Sequence, residues 1–299
     1  MEIVSEIIVP DDSPVITLRV YARVSFSMFY PSGKGIRKAI EKGLFQVNGK
    51  KGKTGTLVHP GDCVQLLAEG MLTAPELDLK LEVIFEDAHF GVIVKPSGLS
   101  VHNHQLRNVI NALPGNLQLS TEPDALKRLV AVHRLDSLTS GLLLVAKTRR
   151  FQMEIGRMFE NSRITKKYVA VVTGEISGQQ EVDLPVDGLP ALSLIQPEKC
   201  VPSSRFGHLT VVNLYPKTGR MHQLRIHCAH LGHPILGERL YATELPNIRG
   251  KGLFLASVGL EFDHPVTGEK MRFEIEPPAK IRKFLEEKEG NPWHYEATS

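Results

Sequence analysis

The sequence predicts an α+β protein in which a small N-terminal α/β module precedes a larger, strand-rich domain. Three patterns support this prediction. Residues 36–50 read as a short amphipathic helix followed by a β-hairpin. Residues 142–146 are apolar without interruption, as in a central strand that is buried on both faces. After Thr148, apolar residues return at helical spacing, so the larger domain is expected to contain helices beside its strands.

The composition is that of an ordinary globular protein. The chain has 299 residues, 42% of them hydrophobic, and a net charge of only +3. Its three cysteines, Cys63, Cys200 and Cys228, are far apart and form no Cys-x-x-Cys pair, which argues against a disulfide framework or a thiolate zinc site. We expect no secretory or transit segment and no membrane span, and therefore a cytoplasmic protein.

The predicted boundaries follow changes in composition. Residues 1–70 form the N-terminal module, and residues 71–80 form a linker that Pro75 interrupts. The main domain is expected at 81–288, followed by a polar, flexible tail at 289–299.

The N-terminal module combines a helix with a hairpin. Ile36, Ala39 and Ile40 share one helical face and Gly43 ends the helix, while Asn48-Gly49 is a strong hairpin-turn signal. Between residues 33 and 53 there are seven basic residues and one acidic residue. This excess is typical either of a phosphate-binding surface or of a solvated helix face. If the surface binds phosphate, the RNA-binding candidates within it are Lys34, Arg37, Lys38, Lys50 and Lys51.

The elements of the main domain are marked by turns and caps. A strand at 90–95 ends in the Pro-Ser-Gly turn at 96–98, and two further strands are expected at 167–172 and 208–215. Thr148 is the predicted N-cap of a helix. The apolar face of that helix comprises Phe151, Ile155, Met158 and Phe159.

Asp136 is the most informative single residue. It is followed by a small-residue turn and then by the apolar strand at 142–146. A carboxylate directly before a buried strand loses part of its hydration, which costs free energy. Such a residue is therefore expected to have a binding partner or a catalytic role. The alternative is a structural turn in which Asp136 and Thr139 act as caps.

A second informative segment is predicted to be a helix over residues 220–231, with one apolar stripe along it. The stripe comprises Met221, Leu224, Cys228 and Leu231. Arg225 falls about 40° from Met221, at the margin of this stripe, where a guanidinium needs an anionic partner. Asp136 is the natural candidate, and Glu238 is the alternative.

Four histidines occur in the same region: His222, His227, His230 and His233. They raise the hypothesis of a zinc site in a metal-dependent hydrolase. On a helical wheel, however, they scatter over half the circumference, which favours RNA contacts or surface positions and predicts no metal site. A non-catalytic RNA-binding protein is a further alternative.

Four segments resemble, in order along the chain, the motifs of the RluA-type pseudouridine synthases. The central one is His133-Arg134-Leu135-Asp136, continued by residues 139–147. The others are residues 95–102, residues 166–170, and residues 218–225 with 232–237. The resemblance spans about residues 80–285, with one departure: Ser137-Leu138 replaces the usual charged pair after the aspartate. Residues 36–43, 47–50 and 59–62 resemble the alpha-L RNA-binding module, named after a small-subunit ribosomal protein.

These resemblances imply a mixed, mainly antiparallel central sheet with flanking helices, and conversion of uridine in ribosomal or transfer RNA to pseudouridine without a cofactor. They imply that Asp136 acts as nucleophile or as base, that Arg225 pairs with it and that Tyr168 stacks on the uracil. Without the resemblance, a strand aromatic that fills the core is the favoured interpretation of Tyr168.

The resemblance also implies contacts with the RNA. The arginine of the central motif, Arg134, would fill the gap left by the flipped base. Phosphate contacts would come from Lys95, Arg220 and His222. No obligate protein partner is evident, so a monomer is expected.

Overall fold

The computed structural model describes residues 3–11, 13–26, 29–30, 32–67, 77–102, 107–242 and 252–286. The chain forms two compact units, Met1–Pro75 and Glu76–Ser299. The division between them falls within the stretch 71–80 that the sequence marks as a linker. The predicted tail at 289–299 lies outside the described residues.

The first unit contains two helices and six strands within its described part. They are β1 (Ile3–Ile8), β2 (Ile16–Thr17), α1 (Leu18–Ser25), α2 (Gly33–Glu41), β3 (Phe45–Val47), β4 (Lys50–Lys51), β5 (Leu57–Val58) and β6 (Cys63–Leu67). Strands β1, β6, β3 and β4 form one antiparallel sheet in that order.

The predicted helix and hairpin of this unit are confirmed. Ser32 caps α2 by accepting a hydrogen bond from the Gly35 backbone N–H at 3.1 Å. The predicted apolar face of α2, which includes Ile36, is buried in the core of the unit. Between β3 and β4, Asn48 and Gly49 have φ values of 51° and 74°, the conformation that a two-residue hairpin turn requires.

The second unit carries the remaining described elements. They are β7 (Glu82–Glu86), β8 (Phe90–Lys95), α3 (Val109–Ala112), β9 (Ala125–Ala131), β10 (Ser140–Thr148), α4 (Arg149–Glu160), β11 (Thr165–Thr173), β12 (Gln180–Asp183), β13 (Leu192–Ser203), β14 (Gly207–Pro216), α5 (Gln223–His230), β15 (Leu255–Asp263), β16 (Lys270–Glu274) and α6 (Ala279–Glu286).

Ten strands of the described chain form one large sheet, with β12-β13-β14-β11-β15-β10-β8-β7 as its main path. Strand β9 adds to β10, and β16 adds to β15. The pairing of β10 with β15 is parallel and the other pairings are antiparallel. The predicted mixed, mainly antiparallel sheet with flanking helices is therefore confirmed.

Strand β10 lies at the middle of this sheet and is buried along its whole length. Leu142 and Leu144 pack on the side of α4, whereas Leu143 and Val145 pack on the other side, together with Leu135. The residue that precedes Asp136 is thus anchored on the face opposite α4.

Gly141 permits the close parallel pairing of β10 with β15. Its φ is 117°, and a Cβ atom built there would lie 2.0 Å from the Ser257 carbonyl oxygen. A larger residue at this position would push apart the two strands on which the Asp136 loop rests.

Candidate active site

Asp136 lies in a tight turn directly before β10. Its backbone carbonyl accepts a hydrogen bond from the Thr139 N–H at 3.0 Å, and the neighbouring Leu135 is buried in the core. The Asp136 side chain keeps 26% of its surface exposed. The carboxylate is therefore held at the end of the strand yet remains open to a ligand.

His133 fixes the start of this loop. Its Nε2 accepts a hydrogen bond from the Leu144 backbone N–H at 3.0 Å. Leu144 lies next to Val145, where the pairing of β10 with β9 ends. Burial, helped by the charge of Lys166, lowers the pKa of His133 to about 3. The ring is therefore neutral at physiological pH, with its proton on Nδ1, and it supports the loop instead of serving as an acid.

Lys95 stabilises the same loop and does not contact phosphate, so that expectation is wrong. The side chain is fully buried, and its ammonium donates to the carbonyl oxygens of Pro96 at 2.9 Å, Leu99 at 2.7 Å and Ser137 at 3.1 Å. Burial lowers the pKa of Lys95 to about 8, an effect that the charge of Asp136 opposes. A buried cation whose donors are engaged by carbonyl groups cannot reach the RNA backbone.

The departure at Ser137-Leu138 also has a structural explanation. The Ser137 carbonyl oxygen accepts from the Gly98 N–H at 2.7 Å, and the Leu138 carbonyl oxygen accepts from the Ser97 hydroxyl at 2.7 Å. The turn at 96–98 thus holds this pair through its backbone. Their side chains are exposed, so the two residues can change type without loss of these contacts.

Arg225 contacts both of the carboxylates considered for it. Its Nε and Nη2 donate to Glu238 at 2.7 Å and 2.8 Å, a bidentate pair, while Nη1 lies 3.5 Å from Asp136 Oδ2. Glu238 is thus the tight partner and Asp136 the looser one. Burial alone would lower the pKa of Arg225, but Glu238 and Asp136 raise it, so the guanidinium stays charged beside Asp136.

Glu238 is a site residue that the sequence interpretation placed only as an incidental partner. It is buried, and it also accepts backbone N–H bonds from Arg239 and Leu240, both at 2.8 Å. Burial acts to raise the pKa of Glu238, but Arg225 and these N–H groups lower it below its usual range. The signal in the sequence was an acidic residue directly after an apolar segment, Ile235-Leu236-Gly237.

The helix that carries Arg225 is shorter than predicted. It begins at Gln223, not at residue 220, because the Gln223 side chain accepts from the Arg220 N–H at 3.0 Å and from the Thr218 hydroxyl at 2.7 Å. These bonds hold the turn before the helix. Met221, predicted to be buried, is 59% exposed in that turn. Leu224 and Cys228 are buried as predicted.

His222 points toward Asp136, which differs from the expected phosphate contact. Its Nε2 lies 3.6 Å from Asp136 Oδ1, and its Nδ1 lies 2.8 Å from the hydroxyl of Tyr241. The Tyr241 ring also packs against the guanidinium of Arg225, 5.4 Å from ring centroid to Cζ. Tyr241 is a second residue that sequence reasoning missed.

Tyr168 is brought to the same centre by β11. In the strand register it lies opposite Ser257, which in turn lies opposite Gly141 of β10. Burial raises the pKa of Tyr168 to about 12, with a contribution from the charge of Asp136. Tyr168 also contacts the apolar core, so it lies at the edge of both the core and the site.

His227 and His233, two of the four histidines, bind different backbone carbonyl groups. His227 Nε2 lies 2.9 Å from the Leu184 carbonyl oxygen, and His233 Nδ1 lies 2.9 Å from that of Thr173. Within the described ranges, no group of three or more His, Cys, Asp or Glu side chains is placed to hold a metal ion. The zinc hypothesis gains no support from this arrangement.

Comparison with known proteins identifies the family. Residues 89–230 match the model of the RNA pseudouridylate synthases. The dual-specificity RNA pseudouridine synthase RluA of Vibrio parahaemolyticus is 35% identical over 64% of this chain and 81% of its own length. The ribosomal large subunit pseudouridine synthase D of Pseudomonas aeruginosa is 32% identical over 80% of this chain and 82% of its own length.

The chain belongs to the RluA-type RNA pseudouridine synthases. It is therefore an isomerase that acts on RNA. A solved structure, human RNA pseudouridylate synthase domain containing 4, has the same fold, with a TM-score of 0.53 and 22% identity over 69% of this chain and 92% of that one. Glu238 and Tyr241 lie beyond the matched segment 89–230, whereas Asp136, Tyr168 and Arg225 lie inside it.

Apart from the buried Lys95, the lysines and arginines expected to bind RNA lie at exposed positions of this pseudouridine synthase. Arg134 is exposed beside Asp136, and Arg220 is exposed while its Nε donates to the Pro190 carbonyl oxygen at 3.1 Å. In the N-terminal unit, all five candidate residues are exposed: Lys34, Arg37, Lys38, Lys50 and Lys51. Their contacts with RNA stay predictions.

No helix in the described part of the chain has both the length and the apolar character needed to cross a membrane.

Proposed function

We propose that this enzyme converts specific uridines of structured ribosomal or transfer RNA to pseudouridine, with Asp136 as the carboxylate that acts on the ribose. One observation supports this proposal above the others. Arg225 is already neutralised by Glu238, and Asp136 remains beside it as a partly exposed carboxylate at the end of a rigid strand. A charge in that position is available for chemistry.

The reaction exchanges one bond of the ribose for another. The bond from ribose C1′ to uracil N1 breaks, the uracil turns, a bond from C1′ to C5 forms, and the proton leaves C5 while N1 regains one. No atom is oxidised or reduced overall, so one carboxylate suffices. Asp136 serves either as nucleophile on the sugar or as the base that removes a ribose proton to give a glycal. In both roles the carboxylate must be oriented toward the ribose, and Arg225 Nη1, 3.5 Å from Oδ2, helps to orient it.

Tyr168 is proposed to stack on the uracil and to place its hydroxyl near the proton that leaves C5. Because burial raises its pKa to about 12, the phenol is neutral at physiological pH. Tyr168 therefore acts through its ring face and as a hydrogen-bonding hydroxyl, and not as a phenolate base.

A uridine inside folded RNA must leave its stack to reach Asp136, at a cost of a few kcal/mol. Arg134, two residues before Asp136 and exposed, is proposed to occupy the gap that the base leaves. The family motif and the short tether to Asp136 support this role. Arg220 is proposed to contact phosphate groups near the site.

Ribosomal RNA is the first substrate to test, because the Pseudomonas relative is named for the ribosomal large subunit. The Vibrio relative is named as dual-specificity, which supports a test of transfer RNA in parallel. We propose that the enzyme works as a monomer in the cytoplasm, where both RNA classes occur.

The experiment incubates the purified enzyme with unmodified ribosomal and transfer RNA transcripts and maps pseudouridine in each. We expect modification of a small number of defined uridines in at least one of the two classes. Pseudouridine in neither class, with RNA that folds correctly, would contradict the proposal.

The N-terminal basic surface is proposed to supply electrostatic affinity for RNA. Replacing Lys34, Arg37 and Lys38 of α2 by Gln should weaken RNA binding and reduce the slope of log K against log salt by about 2, since each phosphate contact contributes roughly 0.7 to 0.9. Binding titrations at several salt concentrations measure this slope.

The matched control replaces Arg149, Arg150 and Arg157 of α4 by Gln. These residues are equally basic and exposed, and Arg157 pairs with Glu154 much as Arg37 pairs with Glu41. Helix α4 packs on the sheet face opposite Leu135, so the slope should not change. Equal changes in both variants would show that α2 is only a solvated basic face.

A further inference from the structure

His222 makes a second contact with the Asp136 carboxylate, and the Tyr241 hydroxyl contacts the other side of the His222 ring. We propose that His222, oriented by the Tyr241 hydroxyl, is a positioning residue that holds Asp136 through the oxygen that Arg225 does not face. This inference rests on the proposed role of Asp136 and adds two residues to the machinery that places it.

The two oxygens of Asp136 face different partners. His222 Nε2 lies 3.6 Å from Oδ1, and Arg225 Nη1 lies 3.5 Å from Oδ2. Both distances are slightly longer than a hydrogen bond, so each partner faces its own oxygen across a short gap. The carboxylate is thus steered from two directions without being locked, which suits a group that must move toward a ribose.

The contact with Tyr241 determines which nitrogen of His222 carries the proton. An ionised carboxylate only accepts hydrogen bonds, so the nitrogen that faces it, Nε2, is favoured as the N–H donor. In the neutral ring, Nδ1 is then an acceptor, and the Tyr241 hydroxyl at 2.8 Å donates to it. A continuous chain results, in which Tyr241 O–H points to Nδ1 and Nε2–H points to Asp136.

The backbone of His222 is held in an unusual conformation. Its φ of 55° lies in the left-handed region, where residues other than glycine are uncommon. It is the residue directly before α5, and its side chain does not cap that helix. The ring of this strained residue faces Asp136 and Tyr241. Backbone strain of this kind is often found at functional positions.

Glu238 places both partners of Asp136 at once. It binds Arg225 through two hydrogen bonds, and its Oε1 also accepts from the backbone N–H groups of Leu240 at 2.8 Å and Tyr241 at 3.4 Å. The Tyr241 ring packs on Arg225, and its hydroxyl contacts His222. One buried carboxylate thus orients the arginine directly and the histidine through Tyr241.

The kinetic test uses His222→Ala, His222→Gln and Tyr241→Phe in single-turnover assays, with an unmodified transcript in which the substrate screen has identified a target uridine. Loss of a neutral hydrogen bond changes a rate by about fivefold, so Tyr241→Phe should lower kcat by about that factor with an unchanged RNA Kd. His222→Ala should lower kcat by tenfold or more. His222→Gln, which keeps an N–H donor, should recover part of the loss.

Non-additivity distinguishes positioning from a general structural role. Since Tyr241 acts through His222, Tyr241→Phe should have no further effect in the His222→Ala background. Tyr215→Phe on β14 is the matched control, and its rate should equal that of the wild type. Additive losses in the double variant, or full activity of His222→Ala, would overturn the inference.

A spectroscopic test does not depend on activity. With ¹⁵N-labelled histidine, the signals that vanish in His222→Gln belong to His222, and they should report a proton on Nε2. Tyr241→Phe should shift the Nδ1 signal, whereas an unchanged Nδ1 signal would contradict the contact. If Asp136→Asn keeps full activity, the proposed function itself fails. If Asp136→Asn is inactive and the His222 variants are normal, only this inference fails.

Discussion

The loop that carries Asp136 and the segment that faces it, residues 220–241, are held in place by different kinds of interaction. On the loop side, Lys95 and the turn at 96–98 bind backbone carbonyl groups of Ser137 and Leu138. On the facing side, charged side chains bind one another, with Glu238 at the centre. The first arrangement tolerates changes of residue type, whereas the second depends on each side chain. This difference explains why the atypical Ser137-Leu138 is compatible with an intact site.

Substitutions in the facing segment, residues 220–241, should reduce stability and activity more than substitutions at Ser137 and Leu138. Glu238→Gln leaves the buried Arg225 without its tight anionic partner, which is expected to cost about 3–5 kcal/mol of unfolding free energy. The kcat for pseudouridine formation should fall by at least about tenfold, because both partners of Asp136 lose their support. Urea unfolding and single-turnover kinetics measure the two effects.

The control for this variant is Glu261→Gln, the same substitution at an exposed position of β15. Its stability should change by no more than about 0.5 kcal/mol. If Glu238→Gln were as mild as Glu261→Gln, the segment would not depend on this buried charge.

On the loop side, His133 supplies a pH-dependent contribution. Its folded pKa of about 3 lies below the ordinary value of about 6.5, so between these pH values the unfolded chain takes up a proton that the folded chain does not. Stability attributable to His133 is therefore lost as the pH falls below about 6.5. From pH 7 to pH 5, the wild type should lose about 2 kcal/mol relative to His133→Gln.

Urea titrations of both proteins at the two pH values provide this comparison. His208→Gln, at an exposed position of β14, should show the pH dependence of the wild type. An identical pH dependence in His133→Gln would mean that the histidine is not held neutral in the folded protein.

The smallest effects are expected at the two atypical residues. Ser137→Ala and Leu138→Ala keep the carbonyl oxygens that Lys95, Ser97 and Gly98 bind, so stability should change by no more than about 0.5 kcal/mol. Lys95→Met removes the donor from the same contact and should cost roughly 1–3 kcal/mol, because buried carbonyl groups lose their partner. If Ser137→Ala or Leu138→Ala lost as much stability as Lys95→Met, the side chains of Ser137 and Leu138 would contribute to the loop and this explanation would be wrong.

Features with a local or periodic signal could be predicted from the sequence. The Asn48-Gly49 hairpin, the buried strand β10 and the cap at Thr148 follow from turn chemistry and alternation, and all three are observed. The pairing of Arg225 with an acid was also predictable, since a guanidinium beside an apolar stripe needs a counter-charge.

Features that depend on tertiary contacts could not be predicted. Lys95 looks like a surface cation in the sequence, but in the fold it is buried and bound by three carbonyl groups, two from residues 96–99 and one from Ser137. Helix α5 begins at Gln223 and not at the predicted residue 220, because the Gln223 side chain binds Thr218 and Arg220 in the turn before the helix. Glu238 and Tyr241 follow Arg225 by more than ten residues, and only the fold brings them beside it.

The most direct measurement compares chemistry and RNA binding in Asp136→Asn. The variant should keep the wild-type unfolding free energy and an RNA Kd within about threefold, while pseudouridine formation falls to background in a single-turnover assay. Asp263→Asn, an exposed position at the end of β15, serves as the matched control and should be fully active. Turnover by Asp136→Asn above a few per cent of the wild-type rate would contradict the assignment of Asp136 as the reacting carboxylate.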